Sequence, residues 1–249
     1  MGFFVGSPQE EALARLHYLV EEGKSLGLLL GESGSGKTWL LARFSSECRR
    51  AGREPALLDL AGRDGREFLY QLAEALQARV TAQDARFQLW RAIRDRLCEN
   101  RLQHLSTVLL LDHLDEATEE VRALLVRLLH EGDLPGSGTT LVVASSDAGW
   151  TNADPRLRER VELRVDLDPW SVEDLEAYTR GSLSPSAGEA NAHPWNREAL
   201  LSVWRATGGL PRRVRPLLEL ASLVVRNEPT LPLTAETIAA LRRELSPVA

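Results

Sequence analysis

Residues 31–38 read GESGSGKT and match the pattern G-x-x-x-x-G-K-[ST] in full. Those residue types suit a phosphate group. Glycines let the backbone curl until successive N–H groups point inward at phosphate oxygens. A helix starting near Lys37 adds its positive N-terminal end. Lys37 then reaches the β- and γ-phosphates, and the Thr38 hydroxyl completes a Mg²⁺ shell. The candidate nucleotide-binding residues are Gly31, Glu32, Ser33, Gly34, Ser35, Gly36, Lys37, Thr38 and Trp39. The apolar run before the motif and the helical pattern after it are the context this chemistry requires.

A phosphate loop needs a second strand that ends in an acid, to hold Mg²⁺ from the other side. VLLLD at residues 108–112 supplies it, about seventy residues on, with Asp112. Mg²⁺ takes oxygen ligands, so Thr38 and Asp112 are the candidate metal ligands. Hydrolysis also needs a group to orient the attacking water, usually a carboxylate just beyond that acid. Here the next residue is His113, followed by Asp115 and Glu116. Three arrangements are open: Asp115 or Glu116 reaches the water, His113 polarises it, or the site binds ATP and hydrolyses it slowly. Asp115 and Glu116 also read as the N-cap region of the next helix. Ser145 and Ser146 close the run VVASS, where a hydroxyl can meet the γ-phosphate or simply mark a strand-to-turn transition.

These residues need elements to hold them. Strands are expected at 25–30, 55–60, 108–112, 139–146 and 161–167, separated by helical patterns at 37–50, 65–78, 85–102 and 119–130. The LPGSG turn bounds the fourth strand. Apolar strands alternating with helices predict a mostly parallel sheet covered on both faces. After residue 168 the strand signals stop. Helices at about 171–183, 197–206, 211–226 and 234–245 follow, with a loop at 183–194. The expected architecture is therefore a three-layer αβα domain with a five-stranded parallel sheet over 1–168, then a small all-helical lid over 169–249.

Composition narrows the function classes. The chain of 249 residues is 43% hydrophobic and 27% charged, with net charge −6, so no global positive field exists to hold nucleic acid. Lys24 and Lys37 are the only lysines in an arginine-rich chain, which makes a lysine inside a glycine loop stand out. Cys48 and Cys98 have no metal spacing and fit a reduced, cytoplasmic protein. The N-terminus lacks a signal-peptide pattern, and no apolar run approaches the ~18–20 residues that span a bilayer.

With these motifs in place, nearly the whole chain resembles the AAA+ ATPases, and among them the ExeA/GspA-like group. The opening FFVGSPQEEALARL, the phosphate loop, the segment LRERVELRVDLDPW and the segment TGGLPRRVRPLLELA carry the resemblance. It implies that Val5 and Gly6 lie beside the adenine and that Ser146, or Ser145, is a first sensor. Arg212 would be a second sensor reaching from the lid, and Arg158 or Arg160 would act in trans as an arginine finger. Arg156, Arg158, Arg160 and Arg164 also read as a solvated basic rim, and Arg212 and Arg213 as the start of a helix surface.

The group usually has Asp-Glu where this chain has Asp112-His113, and DHLDEA is more similar to D-x-x-D-x-A variants, which points to Asp115. Secretion members of the group carry a membrane segment and a peptidoglycan-binding part after the ATPase. This sequence ends at LRRELSPVA, so a direct role in secretion is not expected. The resemblance thus implies a cytoplasmic, Mg-ATP-dependent homo-oligomer, ring or filament, that acts as a switch or motor on a protein partner. Two other readings stand beside it. One is a DNA-associated regulator similar to the TniB/TnsC transposition ATPases, using arginines at 86–101, 156–164 and 205–215. The other is a slow-hydrolysing nucleotide-binding scaffold.

Overall fold

The computed structural model describes residues 4–132, 138–182, 195–227 and 232–245. The loop expected at 183–194 and most of the LPGSG turn lie outside those residues. Helix α1 spans Ser7–Glu21, α2 Lys37–Arg50, α3 Gly65–Ala75, α4 Arg86–Leu102 and α5 Glu119–Gly132. Two short helices follow, α6 at Asp147–Thr151 and α7 at Pro155–Arg158. Then come α8 at Val172–Ser182, α9 at Arg197–Thr207, α10 at Pro211–Asn227 and α11 at Ala235–Leu245. The strands are β1 Leu26–Leu30, β2 Glu54–Asp59, β3 Thr107–Asp112, β4 Thr139–Ser145 and β5 Leu163–Asp166. The five strands form one sheet in the order β2-β3-β4-β1-β5. Each neighbouring pair in that order is parallel.

The chain divides into two compact units. The sheet unit comprises Ala12–Ser33 and Lys37–Leu167. The helical unit comprises Met1–Glu11, Gly34–Gly36 and Asp168–Ala249. In the sheet unit, β1, β3 and β4 are buried along their whole length, which explains why their sequences are continuously apolar rather than alternating. Leu28, Leu30, Leu109, Leu111, Leu141 and Val143 share one core with Phe68 and Leu72 of α3 and Val121 and Leu125 of α5. A parallel ladder puts all the strand C-termini at one edge. In register, Leu30 lies opposite Ser145 and Asp59 opposite Asp112, so the ends of β1, β2, β3 and β4 are level there.

Strand ends match the sequence reading to within two residues; β5 is the shortest, at four residues. Helices α6 and α7 and the 3-10 turn at Leu114–Glu116 had no periodic signal, since three to five residues complete barely one turn. Helix α5 begins at Glu119, with Thr118 Oγ1 accepting from Val121 N (3.4 Å). Asp115 and Glu116 therefore do not cap it; they belong to a separate 3-10 turn, Leu114–Glu116.

The helical unit is organised around Trp170, which is fully buried. Its ring meets Phe4 edge-on at 5.3 Å and Tyr178 at 5.4 Å. Asp174, only 4% exposed, ties the start of α1 to the start of α8. It accepts from Ser7 N (2.8 Å), Ser171 N (2.9 Å) and Ser171 Oγ (2.9 Å). Burial pushes its pKa up, but the hydrogen bonds from Ser7 and Ser171 outweigh that, and the net shift is downward. A carboxylate with a lowered folded-state pKa adds stability above its unfolded value of about 3.9 and loses it as pH falls further. Asp174→Asn should cost about 1.5–3 kcal/mol at pH 7 in urea unfolding, and the gap to wild type should shrink below about pH 4.

Candidate functional site

The GESGSGKT loop leaves the buried end of β1 and enters α2 at Lys37. Its curl depends on two glycines with positive φ, Gly34 at 91° and Gly36 at 102°, a region that side chains avoid. Lys37 Nζ donates to the carbonyl oxygens of Gly31 (2.7 Å) and Glu32 (3.1 Å). Burial lowers the Lys37 pKa; Asp112, Asp115 and Asp147 pull it back up without cancelling that effect. Three carboxylates thus act electrostatically on one partly desolvated ammonium group. Ser35 is buried, and its hydroxyl has no partner among the described residues. Gly31, Gly34, Gly36, Lys37 and Trp39 are half-buried, whereas Glu32, Ser33 and Thr38 are exposed.

Asp112 ends β3 and is 3% exposed. Its Oδ1 accepts from His113 N (2.9 Å), while its buried Oδ2 has no hydrogen-bond partner among the described residues. A buried carboxylate oxygen left this way is costly unless something meets it. The fit to Mg²⁺ is good: this cation takes few protein ligands and fills its shell with phosphate and water oxygens. Among the described residues no group of three or more His, Cys, Asp or Glu is placed to hold a metal by itself.

His113 turns the chain. Its φ of 55° is left-handed, so the strand's alternation of faces stops there. Its Nδ1 donates to Asp59 Oδ1 (2.9 Å) and lies 3.8 Å from Asp112 Oδ2. Burial works against the imidazolium, but the Asp59 hydrogen bond and the charges of Asp112, Asp59 and Glu116 prevail, and the His113 pKa is raised. The next turn brings Asp115 into the field of Lys37. Asp115 Oδ2 accepts from Ser146 Oγ (3.1 Å), which itself caps α6 by accepting from Gly149 N (3.1 Å). Glu116 is exposed, and its carbonyl accepts from Gly62 N (3.3 Å). Ser145 is fully buried, and its hydroxyl has no hydrogen-bond partner among the described residues. So Lys37, Asp112, Asp115 and Ser146 come together, and Glu116 is not among the charges acting on Lys37.

Arg158 is exposed at the end of α7, donating to Thr151 O (3.4 Å); Arg160 is half-buried. In the helical unit, Gly6 N donates to Gln9 Oε1 (3.1 Å), and Val5 is half-buried. Arg212 N donates to Gly34 O (3.2 Å), and its guanidinium makes no ion pair among the described residues. Sequence reasoning missed Asp59, Asp147, Arg122 and Gly149. Asp59 was findable, because PALLD repeats the pattern of VLLLD: an apolar strand ending in an acid.

A glycine-rich turn between a buried parallel strand and a helix, facing an acid that ends a nearby strand, defines the P-loop class of α/β domains. Residues 20–145 match the family described as AAA domain, and the chain belongs to that family. It is 28% identical over 222 residues to general secretion pathway protein A of Aeromonas hydrophila, a match covering 85% of this chain and 39% of that protein. The chain thus spans about two fifths of that relative's length. The match agrees with the ExeA/GspA-like resemblance of its motifs.

Its fold is shared with several solved structures. One is the Orc1 protein of Aeropyrum pernix in complex with DNA, with TM-score 0.67 and 19% identity over 95% of this chain and 65% of that one. Another is Cdc6p of Pyrobaculum aerophilum, with TM-score 0.66 and 15% identity over 91% of this chain and 64% of that one. The RuvB Holliday junction branch migration motor of Thermotoga maritima has TM-score 0.61 and 17% identity, over 97% and 70%. Among the described residues no helix is long and apolar enough to cross a membrane.

The loop geometry makes one local prediction. Gly36→Ala places a side chain at φ 102°. It should cost about 1–3 kcal/mol in urea unfolding through backbone strain alone.

Proposed function

We propose that this chain binds Mg-ATP, hydrolyses it, and works in the cytoplasm as an oligomeric nucleotide-dependent switch or motor on a protein partner. One observation carries the reading: a half-buried lysine closing a positive-φ glycine loop stands in the field of Asp112, whose buried Oδ2 has no hydrogen-bond partner among the described residues. When bound, Mg²⁺ would supply charge neutralisation at the phosphates. The amides of residues 34–38 cradle the phosphates, Lys37 neutralises their charge, and Thr38 and Asp112 hold the metal. Asp115 orients the attacking water, and Ser146 links that carboxylate to α6. His113, held by Asp59, serves to turn the chain between the two acids. Val5 and Gly6 flank the base. Arg212 senses the γ-phosphate, and exposed Arg158, or Arg160, completes the site of a neighbouring copy. The 169–249 segment acts as the lid.

Lys37→Ala removes a charged hydrogen bond to phosphate worth about 1.5–3 kcal/mol, so ATP affinity should fall about 10- to 100-fold. Unchanged affinity in a calorimetric titration would sink the reading. Light scattering should show larger particles with ATP than with ADP. At about 100 times its dissociation constant, Mg-ATP should stabilise the wild type by about 2.7 kcal/mol, a gain that loses its Mg²⁺ dependence in Asp112→Asn.

A second reading, an ATP-controlled DNA-associated regulator, draws on the fold shared with the Orc1 protein solved in complex with DNA. The arginines at 86–101 support it little: Arg86, Arg91 and Arg96 are engaged by Glu120, Asp95 and Glu99. Arg205, Arg212 and Arg213 on α9 and α10 are exposed and make no ion pair among the described residues. Retention on DNA in low salt with ATP, falling steeply as salt rises, would favour this reading; no retention at low salt removes it.

A further inference from the structure

The 3-10 turn that carries Asp115 is gripped from two sides. From α5, Arg122 Nη2 donates to the carbonyl oxygens of Asp115 (3.1 Å) and Leu114 (3.5 Å). From α6, Gly149 backs directly onto Asp115. A Cβ on Gly149 would stand 2.2 Å from Asp115 Cβ, 3.1 Å from Asp115 Cα and 2.8 Å from Ser145 Oγ. Ordinary van der Waals contact begins at 3.4 Å, so any side chain at 149 drives the turn and α6 apart by more than about 1 Å. The same short helix carries the Ser146 hydroxyl that holds the Asp115 carboxylate.

Neither residue belongs to the phosphate loop or to the acids around Lys37. Both act on where Asp115 stands. We propose that Gly149 and Arg122 are positioning residues that clamp the Leu114–Glu116 turn and set the Asp115 carboxylate for its work on water. The inference rests on the reading that Asp115 is the water-orienting acid. A displacement of about 1 Å in a catalytic group costs on the order of 100-fold in rate, while a site that grips phosphate elsewhere keeps its affinity.

The test compares wild type, Gly149→Ala, Arg122→Met and Asp115→Ala in ATP turnover, ATP affinity and urea unfolding. Gly149→Ala and Arg122→Met should each lower kcat about 10- to 100-fold with KM and ATP affinity within about twofold of wild type. Neither should lower kcat further in an Asp115→Ala background. An unchanged kcat, a loss that appears in KM instead, or losses that multiply with Asp115→Ala would overturn the clamp.

A second readout needs no turnover. Ser146→Ala and Asp115→Ala share one hydrogen bond, so their combined shift in the urea midpoint should fall short of the sum of the single shifts. In the Gly149→Ala or the Arg122→Met background the two shifts should simply add. Coupling that survives both backgrounds overturns the proposal. If Gly149→Ala does not fold, Arg122→Met carries both tests alone. If Asp115→Ala keeps full turnover, the assignment of the acid fails, and the unfolding cycle still decides the clamp.

Discussion

A strand buried on both faces has no water for its amides, so its neighbours must satisfy every one of them. That constraint governs β1, β3 and β4, buried from end to end. Parallel pairing satisfies their backbones, and parallel pairing requires a crossover after every strand. The crossovers return the chain to the same starting edge each time. The opposite edge then collects whatever each strand ends in: the glycine loop after Leu30, Asp59, Asp112 and Ser145. The pairing of buried backbone thus brings the ends of these elements to one edge.

Electrostatics then sharpens what topology gathers. Burial weakens the Lys37 ammonium, and the surrounding carboxylates restore part of its charge preference. The carbonyls of Gly31 and Glu32 hold that ammonium group against the loop. The Asp59–His113 pair behaves differently. It joins an imidazole to a carboxylate at the rim, and it anchors a residue whose backbone conformation a β-branched side chain would resist.

The phosphate loop was legible in the sequence because its chemistry requires neighbouring residues in a fixed order. The strands were legible because full burial makes them continuously apolar. Past Asp112 the residues alone left His113, Asp115 and Glu116 open, and only the similarity to D-x-x-D-x-A variants pointed to Asp115. The left-handed φ of His113, after which Asp115 stands in the field of Lys37, is encoded by no pattern of period two or 3.6. Gly149 and Arg122 were hidden for a related reason. Gly149 meets Asp115 from a distant part of the chain, and Arg122, one helix on, reaches back to the carbonyls of the turn; neither contact follows a fixed spacing. The short helix α6, five residues long, offers no periodicity to find.

The left-handed residue at His113 separates a chemical position from a column in an alignment. Because the backbone is left-handed there, the residue one step past Asp112 pairs with Asp59 of the neighbouring strand, and the residue three steps past it stands in the field of the lysine. A chain with such a turn can carry a histidine one step past the strand acid and still keep a carboxylate in the field of the lysine. Counting intact motif letters would grade such proteins as damaged. The quantity to compare among them is the direction in which the third residue after the strand acid faces.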